Sequence, residues 1–338
     1  MNRRGPEVVV VTGASAGVGR AVAHAFARRG ARVGLLARGL AGLEAAREEC
    51  GRLGGEAVAV EADVACADQV EAAAVRVERE LGPIDVWINN AMATVLSPFL
   101  ETTPEEFRRA TEVTYLGAVH GTMAALQRMV PRDRGTVVQV GSALSYRAIP
   151  LQAAYCGSKF AVRGFTDSVR TELMHRKSRV WVTMVQLPAV NTPQFSWCRT
   201  RLPNHPQPVP PIYQPEVPAE TIYYAAHHRR REIYCGGPAV AVILGSKLLP
   251  ALADRYLART AVDSQQVPGM PVGSRHDNLT APVPSLAATH GIFDDRAHTR
   301  SAQAWATTHR PAASGAALGA LALCAVAAGT ARRRLGRR

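Results

Sequence analysis

Seven short apolar runs, each leading into a longer amphipathic stretch, fill the chain between residues 8 and 236 and leave few folds open to it. VVVVT (8–12), ARVGLLA (31–37), EAVAVEA (56–62), IDVWIN (84–89), TVVQVG (136–141), RVWVTMVQL (179–187) and EIYCG (232–236) have the length of strands. Their apolar residues run on and do not alternate, as in strands covered on both faces of a parallel sheet. Helical patterns occupy the intervals at 17–29, 41–53, 67–81, 104–130, 152–176 and 217–229. Thr103-Pro104-Glu105-Glu106 gives one of them a clear start, with proline at the first helical position and acids in the first turn. This rhythm predicts an α/β fold, a doubly wound parallel sheet in a single domain over residues 1–260, with ligand sites at the carboxyl ends of the strands. A hydrophobic fraction of 47% over 338 residues is enough to fill such a core.

The rest of the chain departs from that rhythm. Prolines at 203, 206, 208, 210, 211, 215 and 218 exclude regular helix or a central strand from 188–218. The stretch reads as a substrate loop, with Phe195, Trp197, Leu202, Ile212 and Tyr213 either walling a lipophilic pocket or pinning the loop to the core. Residues 239–260 read as helix with a break at Pro250, and 261–311 as an extended or poorly ordered arm. A C-terminal extension, 312–338, closes the chain. It holds twenty positions without a charge (312–331), ten of them alanine, ahead of RRRLGRR. That length suffices to cross a hydrocarbon core, and Gly315 and Gly319 form a GxxxG. The composition suits equally an Ala-rich helix docked on protein.

Charge and cysteines narrow the class. Five units of the net +13 fall in the last seven residues, behind the apolar segment and not on a face interleaved with aromatics. This disfavours nucleic acid as the partner and leaves membrane contact through 312–338 as the role of the tail. The six cysteines show no CxxC and no metal-ligand spacing, so they read as reduced thiols. No secretory signal fits ahead of the first strand. The expected location is cytoplasmic, with the tail as a route to the membrane face.

TGASAGVGR (12–20) joins the first strand to the first helix. Gly13, Gly17 and Gly19 let the backbone turn and approach a pyrophosphate on the helix N-terminus, with Ser15 and Val18 inside the same turn. The second strand ends LLAR, placing Arg38 where an acid would bind a free ribose 2′-hydroxyl; arginine instead pairs with a 2′-phosphate, which favours NADP(H) over NAD(H). Asp63, with Val64 after it, ends the third strand and suits either an adenine edge or a helix cap. Asn89, Asn90 and Ala91 end the fourth, where asparagine side chains hold neighbouring strand ends and line a cofactor. Ser142 ends the fifth, thirteen residues before Tyr155, and reads in isolation as a turn residue. In YCGSK (155–159) a helix sets the Tyr155 phenol and the Lys159 amine on one face, so that the cation favours the phenolate. Gly157 and Ser158 are read as keeping that face low enough for a cofactor.

Together these residues resemble the short-chain dehydrogenase/reductase (SDR) family in its classical form, over about residues 6–237. The resemblance rests on TGASAGVG, Asp63, the NNA of NNAM, Ser142, and YxxxK at Tyr155 and Lys159. It implies a Rossmann-type domain, Tyr155 as proton donor or acceptor, and Ser142 as partner of the substrate oxygen. It also implies that Lys159 contacts the nicotinamide ribose and lowers the tyrosine pKa. Thr192, in NTP, matches the residue that binds the carboxamide, and Pro188 and Val190 join the cofactor-lining set. Three positions depart from the family: Thr114 stands for the asparagine of its proton relay, Met92 for a glycine in NNAG, and Ala189 for the glycine of PG. The resemblance implies interconversion of a carbonyl and an alcohol by a homodimer or homotetramer; Arg38 adds NADP(H) as the favoured cofactor, and the apolar loop a small lipophilic substrate. An NADP(H)-binding sensor or scaffold without turnover is the alternative that the departures suggest.

Overall fold

The computed structural model describes residues 5–310. The apolar segment 312–331 and its basic tail, on which the membrane expectation rests, lie outside the described residues. Among those described, no helix is long and apolar enough to cross a membrane.

Seven parallel strands form the central sheet: β1 (Val8–Thr12), β2 (Arg32–Ala37), β3 (Glu56–Glu61), β4 (Val86–Asn89), β5 (Thr136–Ser142), β6 (Trp181–Leu187) and β7 (Glu232–Tyr234). Their order is β7-β6-β5-β4-β1-β2-β3. The chain winds outward from β1 through β2 to β3, then returns to β4 on the other side of β1. Adjacent loops therefore diverge above β1 and β4, opening a crevice at their carboxyl ends.

The alternation of side chains along β1 explains why its valines run without interruption. Val9 and Val11 belong to one buried cluster, with α1 (Gly17–Ala27), α2 (Leu40–Arg52) and α7 (Glu216–His227). Val8 and Val10 belong to the other, beneath α3 (Ala67–Leu81) and α5 (Gly117–Met129). Both faces are dry, so both sets of positions are apolar. The helical pattern at 104–130 is realised as α4 (Pro104–Thr111) and α5, joined by a π-helical turn over Glu112–Leu116. Thr103 and Glu106 cap α4 reciprocally. The long helix α6 (Ala153–His175) carries Tyr155 and Lys159 in its first two turns.

After β7, α8 (Gly237–Leu248) and α9 (Pro250–Ser264) separate near Pro250. The proline-rich loop 188–218 and the arm beyond residue 264 tie to one another through short pairings. Asn204–Pro206 pairs antiparallel with Gln266–Pro271, and Ile212–Tyr213 lies between Ala189–Val190 and Ala297–His298. The arm folds back on the domain, anchored by Leu279 at 1% exposure and Phe293 at 3%.

Candidate active site

A cleft of about 780 Å³ opens over the carboxyl ends of β1, β4 and β5. Gly13 and Gly17 have positive φ (68° and 55°), and a Cβ on Gly13 would lie 2.9 Å from the Ala91 Cα. Only glycine allows the turn to sit this close to β4. Ser15, Gly17 and Val18 line the cleft with Gly13. Gly19 lies behind the turn: a Cβ there would stand 2.2 Å from the Gly13 carbonyl, so its bare backbone lets α1 close on the loop.

Thr12 and Asn90 fasten β1 to β4. The Thr12 hydroxyl accepts from the Asn90 and Ala91 amides (2.9 and 3.0 Å), and the Asn90 carboxamide donates to the Thr12 carbonyl (2.9 Å). Asn90 and Ala91 line the cleft. Asn89 points the other way, into a buried network: its Oδ1 accepts from Trp87 Nε1 at 2.8 Å, and its Nδ2 donates to Thr122 and Gln139, both at 3.0 Å. Of the two asparagines, Asn90 is the one that faces the cleft.

Arg38, Asp63 and Val64 line the opposite end. Arg38 donates to the carbonyls of Asn278 and Leu279 in the arm. Burial first, and then the neighbouring Arg109, hold its pKa below the ordinary guanidinium value. Asp63 caps the following turn through the Ala65 amide (3.0 Å) and pairs with Arg109. No local pattern in the sequence points to Arg109; only the fold brings it to Asp63. Arg147 was missed for the same reason: it lines the cleft near Ser142 and pairs with Asp254 of α9.

Ser142, Tyr155 and Lys159 converge at the inner end. The Ser142 Oγ accepts from the Leu144 amide at 3.1 Å, so the serine does cap a short turn while it faces the cleft. The Lys159 ammonium lies 5.6 Å from the centre of the Tyr155 ring and donates to the Val140 carbonyl at 2.6 Å. Burial pushes the Tyr155 phenol well above its ordinary pKa, with the Ser142 hydroxyl pulling the other way. Burial lowers Lys159 to about 8. Burial is thus the leading influence on the phenol, ahead of the Ser142 hydrogen bond that opposes it. Gly157 differs from the sequence expectation. It sits on the exposed side of α6, where an added Cβ would meet nothing within 4 Å, so it does not shape the cofactor face.

Thr114, in the π-turn, is buried behind the cleft wall. Its hydroxyl donates to the Ala93 carbonyl (2.9 Å) and accepts from the Ala93 amide (3.0 Å). Pro188, Val190 and Thr192 line the cleft, as do Met92 and Ala189. Of the substrate-loop residues, Phe195 and Trp197 line the cleft, whereas Leu202, Ile212 and Tyr213 are buried in packing.

A model of the short chain dehydrogenase family matches residues 7–201. The uncharacterized oxidoreductase YxnA of Bacillus subtilis is 33% identical over 261 residues, covering 77% of this chain and 73% of that protein. Human dehydrogenase/reductase SDR family member 7 is 35% identical over 170 residues, 49% of this chain and 50% of the human protein. Among solved structures, an alcohol dehydrogenase from the archaeon Thermococcus sibiricus, complexed with 5-hydroxy-NADP, matches with a TM-score of 0.60 at 28% identity. That match covers 68% of this chain and 96% of the archaeal one. With the parallel sheet, the glycine turn and the Ser142–Tyr155–Lys159 cluster in one cleft, the chain belongs to the short chain dehydrogenase family of oxidoreductases.

Proposed function

We propose that the chain is an NADP(H)-dependent oxidoreductase interconverting a carbonyl and an alcohol on a lipophilic substrate, with Tyr155 as general acid and base. The observation that carries this reading is the convergence of Ser142, Tyr155 and Lys159 in the cleft that the glycine turn enters. The cleft fits a dinucleotide by its own chemistry. Gly13 and Gly17 give a backbone cradle at the N-terminus of α1, where anions are favoured, and the Arg38 guanidinium suits a 2′-phosphate. Thr192 supplies a hydroxyl at the nicotinamide end. A bound nicotinamide supplies or accepts hydride.

The residues of the chain do the rest. The Tyr155 phenol, raised in pKa by desolvation, keeps its proton at neutral pH and is poised to give it to a developing alkoxide. Ser142, fixed by its own turn, is a preorganised donor for the same oxygen. Lys159 is anchored by the Val140 carbonyl, which holds its ammonium beside the phenol. Thr114 both donates to and accepts from Ala93, and its part is to position the segment that follows β4. Leu96, Leu144, Ile149, Phe195 and Trp197 around the cleft favour an apolar substrate. Exposed apolar side chains on α5 and α6, including Met123 and Phe160, support a homodimer or homotetramer built through those helices.

The test is Tyr155→Phe, assayed with NADPH and NADH against a panel of lipophilic ketones and alcohols. We expect turnover to fall about 10²–10⁴-fold with NADPH affinity retained, and Ser142→Ala to lose roughly 10²-fold. Wild-type protein that binds NADPH yet turns over nothing in the panel would sink the enzymatic reading in favour of a sensor.

A further inference from the structure

The family match ends at residue 201, but the cleft does not. Residues 278–291 of the arm run along its outer side from the Arg38 end to Thr192. At one end Arg38 Nη1 donates to the Leu279 carbonyl at 3.2 Å and Nη2 to that of Asn278. In the middle the Gly17 amide, at the N-terminus of α1, donates to the Ala288 carbonyl at 2.9 Å. Arg20 Nη1 donates to the Ala287 carbonyl, also at 2.9 Å. At the far end the Gly291 amide donates to the Asn191 carbonyl (3.3 Å), and a Cβ on Gly291 would lie 2.6 Å from the Thr192 carbonyl. Between these points Pro282, Val283, Pro284 and Ala287 form part of the cleft wall.

The contacts follow the groups that face a dinucleotide: the guanidinium for the ribose phosphate, then the helix N-terminus for the pyrophosphate. Carbonyl oxygens of the arm sit on both: the single Gly17 N–H is taken by Ala288, which leaves Ser15 and Val18 of the same turn, both lining the cleft, to face the pyrophosphate. A guanidinium has five N–H donors, and the arm engages Arg38 through only two bonds. Arm and phosphate can therefore share Arg38. The two prolines stiffen the wall, since their φ is fixed and they offer no N–H that would bind elsewhere.

We propose, on the NADP(H) reading given above, that residues 278–291 complete the dinucleotide site. They are a clasp over the adenosine half, and cofactor exchange requires it to open. The ligand is an adenine dinucleotide, lying in the cleft that the glycine turn and the Pro282–Ala287 wall both line.

A reversible lock tests this. A Cβ on Gly39 would lie 3.1 Å from the Pro282 Cβ, a few tenths of an ångström inside disulfide spacing, so a slight outward shift of the arm brings the pair into range; Gly39 has φ −100°, which any residue adopts. The Gly39→Cys/Pro282→Cys variant, loaded with NADPH and oxidised with glutathione disulfide, should release its cofactor on a chase with NADP⁺ roughly tenfold or more slowly, the usual place for such an effect being the off-rate. Dithiothreitol should restore the rate. Wild-type protein carries the same native thiols and controls for oxidation. Gly39→Leu, which wedges Pro282 outward, should release NADPH faster than wild type. Equal release from the oxidised and reduced variant overturns the clasp. So does a crosslink that forms only without cofactor, because the arm would then compete with the dinucleotide. Release is read by fluorescence without turnover, so a protein that binds NADPH but lacks activity still tests the clasp, whereas one that binds no NADPH removes both readings.

Discussion

Lys159 is 4% exposed, and its ammonium has the Val140 carbonyl as its hydrogen-bond partner. Burial brings its pKa down to about 8 from 10.5. Between those values the unfolded chain binds the proton that the folded one has released, so the folded state gains stability as pH rises through this window. Buried Cys50, Cys156, Cys198 and Cys235 act in the opposite sense, because burial raises their thiols to about 11–12 and unfolded thiols ionise first. Comparison with Lys159→Met cancels the cysteines, which both proteins carry. Wild type should gain about 3 kcal/mol relative to the variant between pH 8 and 10.5, from a shift of that size. Urea denaturation across that range measures it, and a difference that stays constant with pH would show that the amine is not desolvated.

At the level of elements, Glu106 joins two parts of the fold that the sequence presents separately. TPEE announces the start of α4, and the capping box forms as the pattern predicts. The same carboxylate also accepts from Arg201 twice, at 2.9 Å, and from Arg199 at 3.2 Å, fixing the proline-rich loop to the helix N-terminus. Burial raises the Glu106 pKa, but Arg201, the Thr103 amide and Arg199 together outweigh it and hold the group low. Its contribution is therefore present above the ordinary glutamate pKa and fades as pH falls through the depressed one. Glu106→Gln keeps an oxygen for the cap but loses both ion pairs. It should cost about 2 kcal/mol near neutral pH and speed proteolysis at 199–201, read by urea midpoint and limited digestion. Unchanged values for both would show that the arginines hold the loop in other ways. The π-turn at 112–116 had no sequence signal, since EVTYL is compatible with plain helix. The extra residue in the turn accompanies Thr114 reaching the Ala93 backbone.

On the scale of the whole molecule, α5 and α6 present exposed Met123 and Phe160, large apolar groups that gain by being covered. If these helices form the subunit interface, Met123→Glu with Phe160→Glu should convert the oligomer to monomer in sedimentation velocity. A wild-type protein that sediments as a monomer would remove that assembly.

The architecture was legible because burial on both sheet faces forces continuous apolar strands, and VVVVT or TVVQVG can serve little else. The turn at Gly13, the Tyr155–Lys159 spacing and Arg38 after β2 were legible for a related reason: each depends on neighbours a few residues away. Asn90 over Asn89, Arg109 at Asp63, Arg147 at Asp254 and the arm across Gly17 depend on contacts between distant parts of the chain. No local pattern encodes those. The amino-acid order thus determined the sheet, the glycine turn and the Tyr155–Lys159 pair. Packing decided which polar groups share the cleft and how burial tunes them, because desolvation and long-range hydrogen bonds exist only once the chain has closed on itself.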